Sequence, residues 1–312
     1  MPPFVDSQVA VVVPCYNAAA TLAATINSIL AQDVPLEVIV VDDGSTDTSL
    51  AIARSFESRV KVITGPNRGV SVTRNIGIAE GKSDWIVFVD ADDLLEPGTI
   101  EKRLATATAA GADVVISDWR DIDESGKLTT GTDRAIDWSA LQADAELATA
   151  VHVWATTAAI LYRRTLIEKI GGFREDLPII QDARLLFDAA YHGGKFAHSN
   201  HIGAKYRVTS ASLSRRSPGR FYRDILLNGR QIEDLWRAKG HLDQERRDAL
   251  FGIYNTAARG LFANADSQYF DAVAAQRKVA GRESRHSRVA TPMARLVGLR
   301  TARTLLSAFH RV

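Results

Sequence analysis

The sequence predicts an α/β fold on a mostly parallel central sheet, followed by a helical C-terminal extension. Through the first hundred residues, short β-branched runs alternate with stretches that place apolar residues on one helical face. Polar residues follow each apolar run at once, and after Arg215 nearly all of the chain has helical texture, broken weakly at Gly240 and Gly281.

Val9 to Val13 is a continuous apolar run, as expected of a strand buried on both faces, and Pro14 is expected to end it. A helix follows over Thr21 to Ala31, with Leu22, Ile26, Ile29 and Leu30 on one side. Glu37 to Val41 is a second buried strand, stopped by Asp42-Asp43-Gly44-Ser45. Thr46 or Asp47 can cap the next helix, Ser49 to Phe56. Val60 to Ile63 is a third strand, Asn67-Arg68-Gly69 turns into a helix through Ala79, and Trp85 to Val89 is a fourth strand halted at Asp90. Connections this short between strand and helix imply parallel strands with right-handed crossovers.

Beyond this half, a helix is expected over Glu101 to Ala110 and a strand over Asp113 to Ser117, then a looser polar stretch to about Arg134. Ala159 to Tyr162 resumes strand texture. Thr165 to Ile170 is a helix that Gly171-Gly172 terminates, and Gln181 to Tyr191 is an amphipathic helix. There is no internal repeat and no low-complexity segment.

The chain has 312 residues, 46% hydrophobic and 24% charged, enough for a large α/β domain with an appendage. A single cysteine, Cys15, excludes an internal disulfide and a cysteine-based metal cluster, and fits a reducing compartment. At the end of a buried strand, Cys15 reads as a packed thiol rather than a nucleophile. No run approaches the ~18 apolar residues of a membrane span, and no charged leader precedes an apolar segment, so a cytoplasmic location is expected. Residues 282–312 hold seven Arg against one Glu, a charge of +6; the whole chain is +1, which leaves −5 for residues 1–281.

In parallel α/β sheets, ligands bind at the carboxyl ends of the strands. Here those ends carry Pro14-Cys15-Tyr16-Asn17, Asp42-Asp43-Gly44-Ser45, Asn67-Arg68-Gly69 and Asp90-Ala91-Asp92-Asp93. Three carboxylates within four residues repel one another unless a cation or strong donors neutralise them. Hard ions such as Mg²⁺ or Mn²⁺ suit such oxygens, and a solvated helix-capping turn is the plainer alternative. Asp42-Asp43 can likewise be a turn, or can accept a hydrogen bond from a base or ribose, with Asp43 the better placed.

Taken in order, these segments resemble the inverting glycosyltransferases of family 2. The resemblance is carried by Val11 to Asn17, Glu37 to Asp47, Asn67 through Asn75, Trp85 to Asp93, and Gly171 to Glu175 followed by Gln181-Asp182, across roughly residues 8–215. It implies the GT-A fold, which is Rossmann-like, and a domain over 1–215 with a nucleotide-binding half (1–117) and an acceptor half (118–215). Residues 216–312 would form the helical extension.

Carried over by position, the resemblance implies that Asp43 contacts the base, with Tyr16 or Cys15 lining the same pocket beside Pro14 and Asn17. Asp90 and Ala91 would lie near the ribose or donor sugar, and Arg74 would hold the nucleotide. Asp92, helped by Asp90, would coordinate a divalent metal, Mn²⁺ or Mg²⁺, bridging the two phosphates. Asp182 would be the catalytic base, with Gln181 and Trp154 on the acceptor side. Gln181 stands where the family often has Glu. Tyr206 to Ser214 resembles the loop that closes over the donor phosphates, with Arg207 and Arg215 as phosphate partners. The histidine often found near position 209 is absent there, which leaves the third protein ligand open; His198 and His201 are expected to be structural or exposed.

The expected activity is transfer of a sugar from a UDP- or GDP-sugar to a glycan or lipid-linked glycan in cell-surface polysaccharide synthesis. The alternatives are a polyprenyl-phosphate glycosyltransferase and a non-catalytic nucleotide-sugar binding subunit. A nucleotidyltransferase or a dinucleotide-dependent dehydrogenase would need a glycine-rich phosphate loop after the first strand, and Pro14-Cys15-Tyr16-Asn17-Ala18 is not one. In the tail, Leu299, Ala302, Leu305, Leu306 and Phe309 share a helical face beside Arg300, Arg303, His310 and Arg311. That pattern suits a helix lying peripherally on an anionic membrane, and equally a helix packed on protein. Nucleic acid is not an expected partner, because the basic tail has few aromatics and the body is acidic.

Overall fold

A computed structural model describes residues 8–209 and 212–309. Ser210, Ala211, His310 and Arg311, which figure in the sequence expectations, lie outside the described residues. The chain divides into two compact units, residues 1–209 and 210–312.

The first unit begins with β1 (Val9–Cys15), α1 (Leu22–Leu30), β2 (Leu36–Asp42), α2 (Ser49–Arg54), β3 (Lys61–Thr64), α3 (Val70–Glu80) and β4 (Trp85–Phe88). The strands pair in parallel in the order β3-β2-β1-β4, and every residue of β1 is buried. Pro14 does not end β1. The Val12 carbonyl accepts from Val89 on the β4 side, and the Cys15 carbonyl accepts from Asp43 on the β2 side. Alternate residues of a parallel strand face opposite neighbours, so Pro14 turns its nitrogen toward β4 where that ladder closes, and no donor is missed. The residue at the N-cap of α2 is Thr48, without a side-chain cap. Asp47 instead accepts from Ser49 N at 2.9 Å and from Ala19 N at 3.1 Å, tying the loop after β1 to this helix.

The remainder of the unit comprises β5 (Leu94–Leu95), α4 (Thr99–Ala110), β6 (Val114–Ile122), β7 (Leu128–Arg134), α5 (Trp138–Ala143), α6 (Ala145–Val151), β8 (Ile160–Arg163), α7 (Arg164–Ile170), α8 (Gln181–Tyr191) and β9 (Phe196–Arg207). The polar stretch before Arg134 is therefore a hairpin, β6 with β7, and not a loose loop. The sheet continues β4-β8-β6-β9-β5, with β8 antiparallel to both β4 and β6, and β9 parallel to β6. Two reversals restore direction, so β6 and β9 run with β4. Their carboxyl ends, at Asp123 and Arg207, lie at the same edge as the Asp90 turn, and the antiparallel β8 brings its leading segment there too.

The second unit is helical: α9 (Leu213–Arg216), α10 (Pro218–Ala238), α11 (Gln244–Ala263), α12 (Tyr269–Ala280), α13 (Arg285–Val297) and α14 (Leu299–Phe309). Its core holds Trp236, Tyr254 and Tyr269, all fully buried. Buried Glu233 accepts from the Tyr254 hydroxyl at 2.6 Å and from Arg237 at 2.8 Å. No helix among the described residues is long and apolar enough to cross a membrane.

Candidate active site

The rim begins where β1 and β2 end. Asp42 accepts from the Thr64 hydroxyl at 2.8 Å, and Asp43 accepts from the backbone N–H of Arg68 at 2.7 Å and of Gly69 at 2.9 Å. Asp43 thus braces the Asn67-Arg68-Gly69 turn, one N–H on each oxygen. Gly44 makes this possible: its φ is +72°, and a β-carbon there would lie 2.9 Å from Asn67 N. Asn17, itself at φ +50°, accepts from Thr46 N at 2.8 Å and donates its own N–H to Ser45 at 3.0 Å. Next to it the Tyr16 ring is 49% exposed, while Pro14 and Cys15 are buried. Burial, with Asp42 nearby, pushes the Cys15 thiol up to about 11, so Cys15 is a packed thiol.

α3 delivers Arg74 to the end of β4. The guanidinium is 2% exposed, bonds Asp90 through Nη2 and lies 5.0 Å from the centre of the Phe173 ring. Its Nε and Nη1 have no partner among the described residues. A buried cation with unused donors is costly in an empty site and serviceable for an anionic or hydroxyl-rich ligand. The next residue, Asn75, accepts from Phe173 N at 2.8 Å and donates to Phe173 O at 3.0 Å, which docks the Gly171–Glu175 segment on α3.

The acidic turn after β4 is held from below. The Ala91 carbonyl accepts from Thr21 at 2.8 Å and from Thr25 at 3.0 Å. Asp93 is fully buried and accepts from Arg207 N at 2.8 Å and from the Thr156 hydroxyl at 3.1 Å. Burial, then Asp92 and Asp90, hold its carboxyl well above the usual range. Asp93 is therefore a strut. Arg207, read from the sequence as a phosphate partner, gives Nε to the Asp92 carbonyl and Nη1 to the carbonyls of Asp123 and Glu124. Most of its guanidinium thus serves to lock the rim. Arg215 lies in α9, in the second unit.

Asp92 differs from its neighbours. Burial, then the charge of Asp90, raise its carboxyl to about 6. Among the described residues no group of three or more Asp, Glu, His or Cys side chains is arranged to hold a metal. His201 is bonded through both ring nitrogens, to Thr99 and Ser199, and burial lowers it to about 4; His198 is bonded to Asp118. Both histidines are structural. The donor set fits a hard cation that takes one or two carboxylates here and its other oxygens from phosphate and water, and does not fit an all-protein cage.

Asp182, on the first turn of α8, accepts from Ala183 N at 2.8 Å and from the Trp154 indole N–H at 3.4 Å. Burial raises its carboxyl above the usual range; Arg74 opposes that shift and Asp90 adds to it. The sequence-separated Arg74, Asp90 and Asp182 therefore share one electrostatic environment. Trp154 is 43% exposed and meets Trp119 and Tyr206 edge to face, at 5.7 and 5.5 Å. Gln181 is buried and its Oε1 has no partner among the described residues.

Tyr206, expected from the resemblance to open a loop over the donor phosphates, lies instead with Arg207 at the end of β9. Its phenol is held up by burial and then by Asp93, Asp90, Asp182 and Asp92, so it sits in the field of all four acids. The available signal was its place beside Arg207, at the end of a strand that periodicity did not reveal. Two cavities, of about 480 and 570 Å³, are lined respectively by residues of α12, α13 and Glu283 between them, and by residues of β6 and β7.

Fold and rim together define an α/β protein with an acidic, arginine-backed and aromatic-flanked polar site at its strand ends. The chain belongs to glycosyl transferase family 2, whose sequence model matches residues 10–171, just over half of its length. It is 33% identical over 226 residues to the succinoglycan biosynthesis protein ExoO of Rhizobium meliloti (strain 1021). That match covers 69% of this chain and 65% of the relative, so the chain spans slightly less than two thirds of the relative's length. Among solved structures, S. aureus TarS 1–349 in complex with UDP-GlcNAc superposes with a TM-score of 0.67 at 19% identity, covering 97% of this chain and 92% of that one. A mannosyltransferase from Pyrobaculum calidifontis, PcManGT, in complex with GDP-Man and Mn²⁺, superposes with a TM-score of 0.55 at 19% identity, covering 98% and 85%. These likenesses establish the GT-A-like fold.

Proposed function

We propose that the chain is a metal-dependent, inverting glycosyltransferase that moves a sugar from a nucleoside-diphosphate donor to a hydroxyl of a glycan or lipid-linked glycan. One observation carries the reading: a carboxyl kept above its usual range, Asp182, is aimed by an indole N–H and shares its surroundings with Arg74 and Asp90. A general base poised in this way suits deprotonation of a sugar hydroxyl. The complexes of the two structural neighbours support a nucleotide-sugar donor, and that of PcManGT supports a divalent metal. The printed role of ExoO supports polysaccharide synthesis.

In this reading Tyr16 and Asn17 border the base pocket, with Asp43 offering its remaining lone pairs to the base. Arg74 donates its unused N–H groups to the donor, and Asp90 holds that guanidinium in place. Asp92, with Asp90, would hold Mn²⁺ or Mg²⁺, which supplies positive charge to the departing diphosphate. Trp154 offers an apolar ring face to the acceptor sugar, and Gln181 an amide oxygen. Asp182 takes the proton of the acceptor hydroxyl as its oxygen attacks the anomeric carbon. The bond from that carbon to the diphosphate oxygen breaks on the opposite face, its electron pair leaves with the phosphate, and the anomeric configuration inverts.

Asp182→Asn tests this. Donor binding, read by calorimetric titration, is expected to persist while transfer falls by ~10²- to 10⁴-fold. Unchanged transfer would remove Asp182 from the base role, and an absence of donor binding in the wild type would remove the function. We further place the protein at the cytoplasmic face of a membrane, where nucleotide donors and lipid-linked acceptors meet.

A further inference from the structure

Helix α13 carries apolar residues on its solvent side. Its buried side is made of Ser287, Ala290, Thr291 and Ala294, with Thr291 bonded to the Tyr269 hydroxyl at 2.9 Å. The opposite side presents Val289, Pro292 and Leu296, which fall in one row at helical spacing. Val289 is 54% exposed and Leu296 85%. A single exposed apolar residue is ordinary; a row of three along a two-turn ridge marks a contact surface.

The charge that α13 itself carries is basic throughout. Arg288 and Arg295, seven residues apart, flank the ridge, and with Pro292 and Leu296 they help line a cavity of about 480 Å³. Neither α13 nor α14 contains Asp or Glu, and Glu283, which lines the same cavity, is bonded to Arg277. Arg288 and Arg295 have no ion-pair partner among the described residues. α14, by contrast, is committed to its own unit: Ala302 is fully buried, Leu299 and Leu306 are half-buried, and Arg303 donates to the Ala263 carbonyl at 3.0 Å. Of the apolar face expected over the last helix, Leu299, Ala302 and Leu306 are thus turned into the unit, while Leu305 stays 41% exposed.

We infer that this face of α13 docks on an anionic phospholipid surface. Phosphate headgroups pair with Arg288 and Arg295 while Val289 and Leu296 enter the boundary between headgroups and acyl chains. A protein partner fits less well, because protein interfaces are anchored by buried aromatic rings and this ridge offers none. The inference supplies a physical partner to the location given above, but its evidence lies wholly in the second unit and uses no donor-site residue.

The test is co-sedimentation of the full chain with vesicles of equal parts phosphatidylglycerol and phosphatidylcholine, against vesicles of phosphatidylcholine alone. The wild type is expected to pellet with the anionic vesicles at least about tenfold more than with neutral ones, and to be released by high salt. Leu296→Ser, and separately Arg288→Glu with Arg295→Glu, are expected to lower binding about tenfold or more. Melting temperature and nucleotide binding should stay at wild-type values, since these side chains are on the surface. Equal pelleting with both lipids, or variants that bind as the wild type does, would overturn the inference. So would a wild-type dimer that Leu296→Ser makes monomeric without any vesicle binding, which would assign the ridge to a second copy. Failure of sugar transfer with intact vesicle binding would count against the proposed function alone.

Discussion

Asp182 bears two opposed pH dependences. Burial holds its carboxyl above the usual range, and a base acts only when ionised, so transfer is expected to fall as pH drops through that raised value. Stability runs the other way. Between the ordinary carboxylate value and the raised one, the folded chain keeps a proton that the unfolded chain has released. That contribution is full below the ordinary value and is lost as pH rises through the folded one. Asp182→Asn, neutral throughout, is therefore expected to melt above the wild type at neutral pH while transferring little sugar; a melting curve at two pH values checks this. Trp154→Phe removes an N–H that favours the ionised carboxylate. Its pH–rate profile is expected to shift its acidic limb to higher pH, and an unmoved limb would mean that the indole acts only as a platform.

At the scale of elements, the acceptor side is fastened by a small device, the two-way bond between Asn75 and Phe173. Gly172 permits it: its φ is +78°, and a β-carbon would lie 2.6 Å from Asn75 Oδ1. Gly172→Ala is expected to destabilise the fold by about 1–3 kcal/mol and to lower transfer more than donor binding, read by thermal melting and by single-turnover assay. The elements legible in the sequence were those buried on both faces. β1 and β4 are apolar runs, β2 holds one from Val38 to Val41, and α8 follows its amphipathic period from Gln181 to Tyr191. β9 was not legible, because Phe196–Arg207 mixes Lys, His, Ser and Asn with single apolar residues and carries register shifts against β6. β7, Leu128–Arg134, is polar throughout after its first residue, and β5 is two residues long, so neither leaves a periodic signal.

Across the whole molecule, the candidate site is an accumulation of strand ends from both halves of one sheet. The acids were readable as types, because Asp after a buried strand is conspicuous, but their division of labour was not. Asp93 became a strut because a strand remote in sequence brings Arg207 N against it, and Arg207 lost most of its phosphate-binding capacity to carbonyls of the same rim. Tyr206 and Trp154 come together through antiparallel strand and loop pairings that no local pattern encodes. What remains uncommitted is Asp92, its carboxyl raised to about 6, and the Nε and Nη1 of Arg74, which have no partner among the described residues.

The most direct measurement is calorimetric titration of the full chain with UDP and with GDP, each with and without Mn²⁺, beside Asp92→Asn. One diphosphate is expected to bind at least about tenfold more tightly with the metal, and the variant is expected to lose that gain while keeping its fold. Binding that ignores Mn²⁺, or a variant that keeps the full metal effect, would contradict a cation held at the strand-end acids.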